Sequence, residues 1–426
     1  MLTREQMDLF REILSIDSTS GKERELSLFL LDKFDAPKKE SFEVGDGTLN
    51  LLLSWGTPRV VFCTHMDTVP PYIAPKFPEG IYLSKTSLCD PSHPNGWAPP
   101  TFEGGAAPLL SPCGSQPSMS LEQVQGHGLR RRSAECSESC EGNSLRNGDK
   151  CLSESVFCHS ERNEESPVIS GRGACDAKGQ LFAMYTACKK LEAAGCTDFG
   201  LLLLAGEETG SWGAKAFAKT DFRAPFLIVG EPTENKMVSA SKGTKSYDLT
   251  FRGKAFHSGY PQYGESAIDH FNEFYNKLKA KDFGVDPELG ETTWNVGLLH
   301  SDNPQNILSP ELTCRLYFRT TFVSDQAVQD WMGSCHSERS EESPTLIVKP
   351  RGGDCPARYV TLPGFESAPV AFGSDAPHLS NFGHKIICGP GTIRVAHRPD
   401  EHILVQDLET AVEQYIRMYH ALVSVL

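Results

Sequence analysis

The chain has 426 residues, 39% of them hydrophobic and 23% charged, with a formal net charge of −14 at pH 7. That length is more than one compact core serves and predicts two domains. The acidic balance excludes nucleic acid and anionic membrane surfaces as partners, because both would repel it, and no apolar run approaches the roughly 18 residues of a membrane-spanning helix.

In chain order, the N-terminal MLTREQMDLFREILSI reads as an amphipathic helix over 3–16, with Thr3 and Gln6 spaced as a capping box. It is not a secretory signal, so a cytoplasmic location is expected. A second helix is predicted at about 20–34. Short apolar β-rich runs follow at 59–64, 200–205, 226–230 and 385–388, of the kind found in a sheet covered on both faces. Between the first two runs, Leu181, Met184, Tyr185, Cys188 and Leu191 keep the spacing of a helix that Gly195 terminates. These elements predict an α/β domain with a mainly parallel sheet and helices on both faces.

The stretch 241–351 is patterned differently. A strand in KSYDLTFRG, a helix in SAIDHFNEFYNKLKA, strands in TTWNVGLLH and ELTCRLYFRTT, a helix in SDQAVQDWM and a strand in TLIVKP give β-α-β-β-α-β, a split βαβ module. The expected organisation is therefore a catalytic domain in two parts, 1–240 and 352–426, with a smaller domain inserted at 241–351.

CHSERNEESP at 158–167 recurs as CHSERSEESP at 335–344, with one position in ten changed. The repeat lacks the apolar period of a structural repeat. It lies at the end of a stretch, 83–170, whose Ser, Gly, Pro, Cys and charge suit an irregular segment. Both copies, in 83–170 and 334–344, read as insertions into loops; the alternative is a functional motif such as a His/Cys metal tract. The 14 cysteines form no CxxC pair, and Cys63, Cys188 and Cys388 sit in apolar runs, as reduced structural thiols do.

Potential ligands cluster after the apolar strands. His65 and Asp67 follow the run at 59–64, where strand alternation puts them on one side and a carboxylate can orient an imidazole. Asp176 precedes the helix of Leu181. Glu207 and Glu208 end the run at 200–205, an adjacency that is costly unless a cation compensates it. Glu231 ends the run at 226–230, and His397 follows the run at 385–388. In open α/β sheets that edge is where sites are built.

THMDTVPP, GRGACDAKG, LAGEETGSWGA, VGEPTENK, KAFHSGYPQYGESAI and GPG…AHRPDE resemble, in this order, the motifs of the acetylornithine deacetylase and succinyl-diaminopimelate desuccinylase family of dinuclear zinc metallopeptidases and deacylases. The resemblance covers nearly the whole chain outside about 83–170 and 334–344. It implies a zinc exopeptidase-like fold whose inserted domain serves as lid and dimerisation module. It implies that His65 and Glu231 bind one metal, Glu208 and His397 another, and that Asp176 bridges them. Glu207 is then the general base and acid and Asp67 orients His65. His257 reaches the substrate or its oxyanion across a dimer interface, and Arg319 and Asn306 hold the substrate's carboxylate or backbone. HSDNPQN stands where relatives carry a glycine pair before the asparagine.

These roles suit two divalent ions per chain, Zn²⁺ or else Co²⁺ or Mn²⁺, and hydrolysis of an amide in a small N-acyl amino acid or dipeptide by a homodimer. Acetylornithine deacetylase-like activity leads. The alternatives are a dipeptidase, carboxypeptidase or succinyl-diaminopimelate desuccinylase of the same family, a non-catalytic metabolite- or partner-binding protein on the same fold, or a protein that interacts through its insertion. Excising 83–170 leaves EGIYGRGACDAKG, a continuous version of the motif around Asp176.

Overall fold

The computed structural model describes residues 1–45, 47–78, 166–335 and 345–424, which all fall in one compact unit. The elements in chain order are α1 (Arg4–Ser15), α2 (Glu23–Lys33), β1 (Lys38–Gly45), β2 (Thr48–Gly56), β3 (Val60–His65), β4 (Val168–Ser170), α3 (Lys178–Ala193), β5 (Asp198–Leu204), α4 (Trp212–Phe217), β6 (Ala224–Val229), β7 (Met237–Ser241) and β8 (Gly243–Arg252). After α5 (Ala267–Ala280) come β9 (Val285–Asp286), β10 (Gly290–Glu291), β11 (Thr293–His300), β12 (Glu311–Thr320), α6 (Asp325–Ser334), β13 (Leu346–Gly352), β14 (Ala357–Arg358), β15 (Ser367–Val370), β16 (Phe382–Ile387), β17 (His402–Leu404) and α7 (Val405–Val423).

The main sheet has the order β1-β2-β5-β3-β6-β16. Four successive strands, β5, β3, β6 and the edge strand β16, run parallel, and the β1–β2 hairpin continues the sheet antiparallel. Strand alternation divides the side chains between two cores. Val60, Phe62, Phe199, Leu201 and Leu203 pack with α1, α2, α3 and α7; Val61, Cys63, Leu202 and Leu204 pack with Phe217 of α4 and Leu379. This is the expected α/β layer with helices on both faces. The capping box forms at the start of α1: the Gln6 amide donates to the Thr3 hydroxyl and the Thr3 amide to the Gln6 side chain. The second helix starts at Glu23 because residues 19–20 instead bond to Thr68, the Ser20 amide donating to its carbonyl. The β1–β2 hairpin and α7 were not among the elements expected from the sequence.

Residues 247–348 have a core of their own. The antiparallel sheet β11-β12-β8-β13 packs Tyr247, Leu249, Phe251, Leu316 and Phe318 against Phe274 and Leu278 of α5 and Val328 and Met332 of α6. The element order is the β-α-β-β-α-β read from the sequence, with the small β9–β10 hairpin added. The repeat insertion placed at 334–344 lies outside the described residues from 336 onward.

Residues 83–165 of the insertion also lie outside the described residues. Its end at 170 needs correction. Ile169 is fully buried, β4 pairs with β17, and Lys76 and Ser170 exchange two backbone hydrogen bonds of 2.8 and 3.1 Å. Residues 168–170 are therefore part of the fold, and the break precedes 166.

Candidate active site

The registers of the parallel strands assemble the site. His65 stands level with Leu204, and Cys63 with Val229, so Glu231 comes level with His65 and Glu207 lies just beyond it. Gly206 makes the turn between β5 and the two glutamates. Its φ is 70°, and a Cβ there would overlap the Trp212 indole at 1.7 Å, so no larger residue serves. Asp176 comes from the turn before α3, and His397 from the loop after β16 in a left-handed conformation, φ 65°. A non-glycine residue holds that conformation at a cost of about 1–3 kcal/mol, typical of functional sites.

His65, Asp176 and Glu231 each place a ligand atom within 4.8 Å of the others, and so do Asp176, Glu208 and His397. Asp176 belongs to both groups, with His65 Nε2 3.1 Å from one of its oxygens and His397 Nε2 3.3 Å from the other. His397 Nε2 is also 2.9 Å from Glu208. His65, Glu207 and Glu208 form a third such group.

Asp67 is fully buried and does more than face His65. The His65 Nδ1 bonds to the Asp67 carbonyl at 2.9 Å, which aims Nε2 into the site; the Asp67 carboxylate is 3.5 Å from that Nδ1. The carboxylate accepts the amides of Glu207 and Glu208 at 3.0 and 3.1 Å and the Ser20 hydroxyl at 2.9 Å. It thereby holds both glutamates in place.

The electrostatics are those of crowded, buried acid. Burial pushes Glu207 and Glu231 well above the usual carboxylate range, reinforced by neighbouring carboxylates. Hydrogen bonds to Asp176 and Glu208 raise His397 to about 10. Burial alone would lower His65, but Asp176 and Asp67 raise it well above its ordinary value. The buried Oε1 of Glu231 has no hydrogen-bond partner among the described residues. A nest of buried carboxylates with an orphaned oxygen and two imidazoles fits divalent cations, and its mix of N and O donors suits zinc, cobalt or manganese.

These acids line a cleft of about 600 Å³ whose other wall is the β8–β12 face, including Thr244, Tyr317 and Arg319. The structure thus brings Arg319 to the cluster. It places His257 and Asn306 elsewhere: both are exposed, outside the lining of that cleft, and adjoin each other through the Ser258 amide, which donates to the Asn306 carbonyl at 2.9 Å.

Two residues of the site had no role assigned from the sequence. Glu401 is buried, and its Oε1 accepts the amides of Gly173, Cys175 and Asp176 at 2.9, 3.1 and 3.1 Å. Its Oε2 pairs with buried Arg172 at 2.5 Å. Asp375 is buried, with no well-formed hydrogen bond to either carboxylate oxygen among the described residues, and burial raises it to about 6 although the nearby Ser211 hydroxyl works the other way. Glu401 stood inside a quoted motif, four residues after His397; Asp375 carries no local signal beyond GSDAP.

The family model of peptidase family M20/M25/M40 matches residues 155–421. A peptidase M20 domain-containing protein of Schizosaccharomyces pombe is 33% identical over 261 residues, 60% of this chain and 64% of that protein. A "probable carboxypeptidase" of Aspergillus clavatus is 31% identical over 274 residues, 60% of this chain and 66% of its own length. The match spans just under two thirds of the length of these relatives. A tripeptidase from Staphylococcus aureus has a similar fold, with a TM-score of 0.63 at 16% identity over 97% of this chain and 96% of its own. Among the described residues no helix is long and apolar enough to cross a membrane.

Proposed function

The chain belongs to peptidase family M20/M25/M40, and on that premise we propose that it is a metal-dependent hydrolase of a peptide or N-acyl bond in a small amino-acid substrate. One observation carries this reading: two metal-competent groups share Asp176 and open, beside Glu207, on the same cleft as Arg319. His65, Asp176 and Glu231 would hold one divalent ion and Asp176, Glu208 and His397 a second. When bound, the ions supply Lewis acidity to the scissile carbonyl.

The chain's own groups do the rest. Arg319 binds the substrate's carboxylate, as a guanidinium does with two parallel hydrogen bonds. Glu207 takes a proton from the attacking water and delivers it to the leaving nitrogen. Burial raises its carboxyl well above the usual carboxylate range, the direction that favours a group that both takes up and delivers a proton. Asp67 holds the Glu207 amide and so fixes where that proton is received. His257 and Asn306 would act on the substrate bound to a second protomer of a homodimer, His257 donating to the oxyanion. Their exposure and their separation from the cleft lining support action across an interface.

N-acetylornithine heads the substrate panel on the motif resemblance. Dipeptides are the second reading, favoured by the printed name of the Aspergillus relative. The test is elemental analysis of the purified chain together with turnover of N-acyl amino acids and dipeptides, with and without added zinc. About two ions per chain and zinc-dependent release of a free amine are expected. Absence of hydrolysis in a folded protein carrying two ions would overturn the reading.

A further inference from the structure

We propose that Arg315 and Arg351 form a second anion subsite in the cleft, selecting substrates that carry a second carboxylate besides the one at Arg319; this rests on the hydrolase reading above. Alternation along β12 puts Arg315, Tyr317 and Arg319 on one face, with Leu316 and Phe318 turned into the α5–α6 core. All three, with Ser246 of β8 and Arg351 of β13, line the same cleft as the acidic cluster.

The charges on this face are unequal. Asp248 is shared: its Oδ1 accepts Arg315 Nε at 2.8 Å and its Oδ2 accepts Arg351 Nη1 at 2.9 Å. One carboxylate therefore serves two guanidiniums, each with five N–H donors of which one is engaged here. Arg319 rests over the Tyr317 ring at 5.1 Å and forms no ion pair with any carboxylate among the described residues. Asp354 also lines this side, but it lies 3.4 Å from His378 and forms no ion pair with the arginines among the described residues, so a wall of three arginines served by Asp248 confronts a wall of carboxylates. Metal ions would offset the negative wall, whereas among the described residues Asp248 alone pairs with the arginines of the positive one.

The geometry sets the ligand's size. Arg315 and Arg319 are four residues apart, about 13 Å along an extended strand, and long side chains shorten that span from both ends. Arg319 takes the terminal carboxylate, and the pair held by Asp248 takes another anionic group one side chain away. Asp248 is then a positioning residue that keeps both forks together. The second carboxylate can belong to a glutamyl side chain or to a dicarboxylic acyl group. Both offer the same chemistry, and bidentate guanidinium contacts recognise it.

The test uses the full chain loaded with zinc. Calorimetry compares glutarate with glutaramate, its monoamide, which has the same shape and one charge fewer. The proposal expects glutarate to bind at least about tenfold tighter, the effect of one charge-assisted hydrogen bond. Arg315→Gln and Arg351→Gln should each bring the ratio close to one, whereas Arg319→Gln should weaken both ligands. Circular dichroism and melting temperature confirm that the variants fold. A wild-type ratio near one, or a ratio that survives both variants, overturns the subsite. Turnover of N-acetylglutamate against N-acetylglutamine, and of N-succinyl-leucine against N-butyryl-leucine, tells the glutamyl from the acyl source. Efficient hydrolysis of neutral substrates with no preference for acidic ones would sink the subsite and leave the hydrolase reading standing. Absence of all hydrolysis would sink the hydrolase reading, and the binding ratio would still decide the subsite.

Discussion

Replacing Glu401 by glutamine should damage both stability and metal binding, although Glu401 is no metal ligand. Its carboxylate is fully buried between Arg172 and the loop that carries Asp176. Glutamine keeps one oxygen. If that oxygen faces the three amides of Gly173, Cys175 and Asp176, the new NH₂ confronts the Arg172 guanidinium, donor against donor. If it turns round, three amides lose their acceptor. Either way a charge of 2% exposure loses its counterion, which costs about 3–5 kcal/mol when nothing replaces it. Arg172 still donates to the carbonyls of Pro71 and Arg398 at 3.2 and 3.3 Å, so the lower end, about 3 kcal/mol, is expected. Typical stabilities of 5–15 kcal/mol leave the variant folded. Zinc affinity should fall about 10–100-fold, as it does when the support of a ligand is lost. Urea denaturation of the metal-free protein and competition with a chelator measure the two effects. Adding Arg172→Met to Glu401→Gln removes both the stranded charge and the donor clash, frees the glutamine oxygen to accept the three amides, and should recover part of the stability and part of the zinc affinity. A loss below about 1 kcal/mol with unchanged zinc affinity would refute the anchoring role.

Glu207→Gln should keep both metals and lose several orders of magnitude in kcat, whereas Glu208→Gln should lose metal; equal metal content in the two variants by elemental analysis means the pair is misassigned. Metal binding should release protons, because the metal-free site keeps His397 protonated up to about pH 10 and a ligating imidazole must be neutral. Affinity should therefore rise with pH across the neutral range, and calorimetry in buffers of different ionisation enthalpy should show proton release that shrinks in His397→Ala. His257→Ala mixed with Glu207→Gln should regain activity through hybrid dimers; no recovery after verified subunit exchange places the whole site within one chain. Removing 79–165 and joining Pro78 to Ser166 by a two-residue turn should leave metal content intact and activity equal or higher, since Lys76 pairs antiparallel with Ser170 and the two ends already approach as a hairpin. A deletion that folds, binds two ions and is inactive on substrates of the full chain would show that the segment completes the site.

The legible parts of this fold are those where one physical rule dominates. The runs at 59–64, 200–205 and 226–230 form inner strands buried on both faces, so they are apolar almost throughout; the run at 385–388 ends the edge strand β16, and only its last residues, Ile386, Ile387 and Cys388, are buried. Because parallel strands end on one edge, His65, Glu208, Glu231 and His397, which follow them, were legible as a group, and Asp176, from the turn before α3, joins both of their clusters. β1 escaped notice for the opposite reason. It is an outer strand of a hairpin, and residues such as Lys38, Lys39, Glu40 and Glu43 are at most half-buried, so its composition is that of a loop. The boundary at 170 failed because a spliced motif reads equally well with several junctions; only the pairing of Ser170 with Lys76 and His402 chooses among them. Glu401 escaped for a third reason. In the segment RPDEH it looks like one more surface acid, and what distinguishes it is three main-chain amides from a loop 225 to 228 residues away. Ligands announce themselves by chemistry and position along a strand, whereas the groups that hold ligands still are defined by contacts that close long loops, which local pattern does not encode. Residues that position a site rather than form it are therefore where a structure adds most: Asp248 and Glu401 are of that kind, and Asp67, legible beside His65, gains its hold on the Glu207 and Glu208 amides.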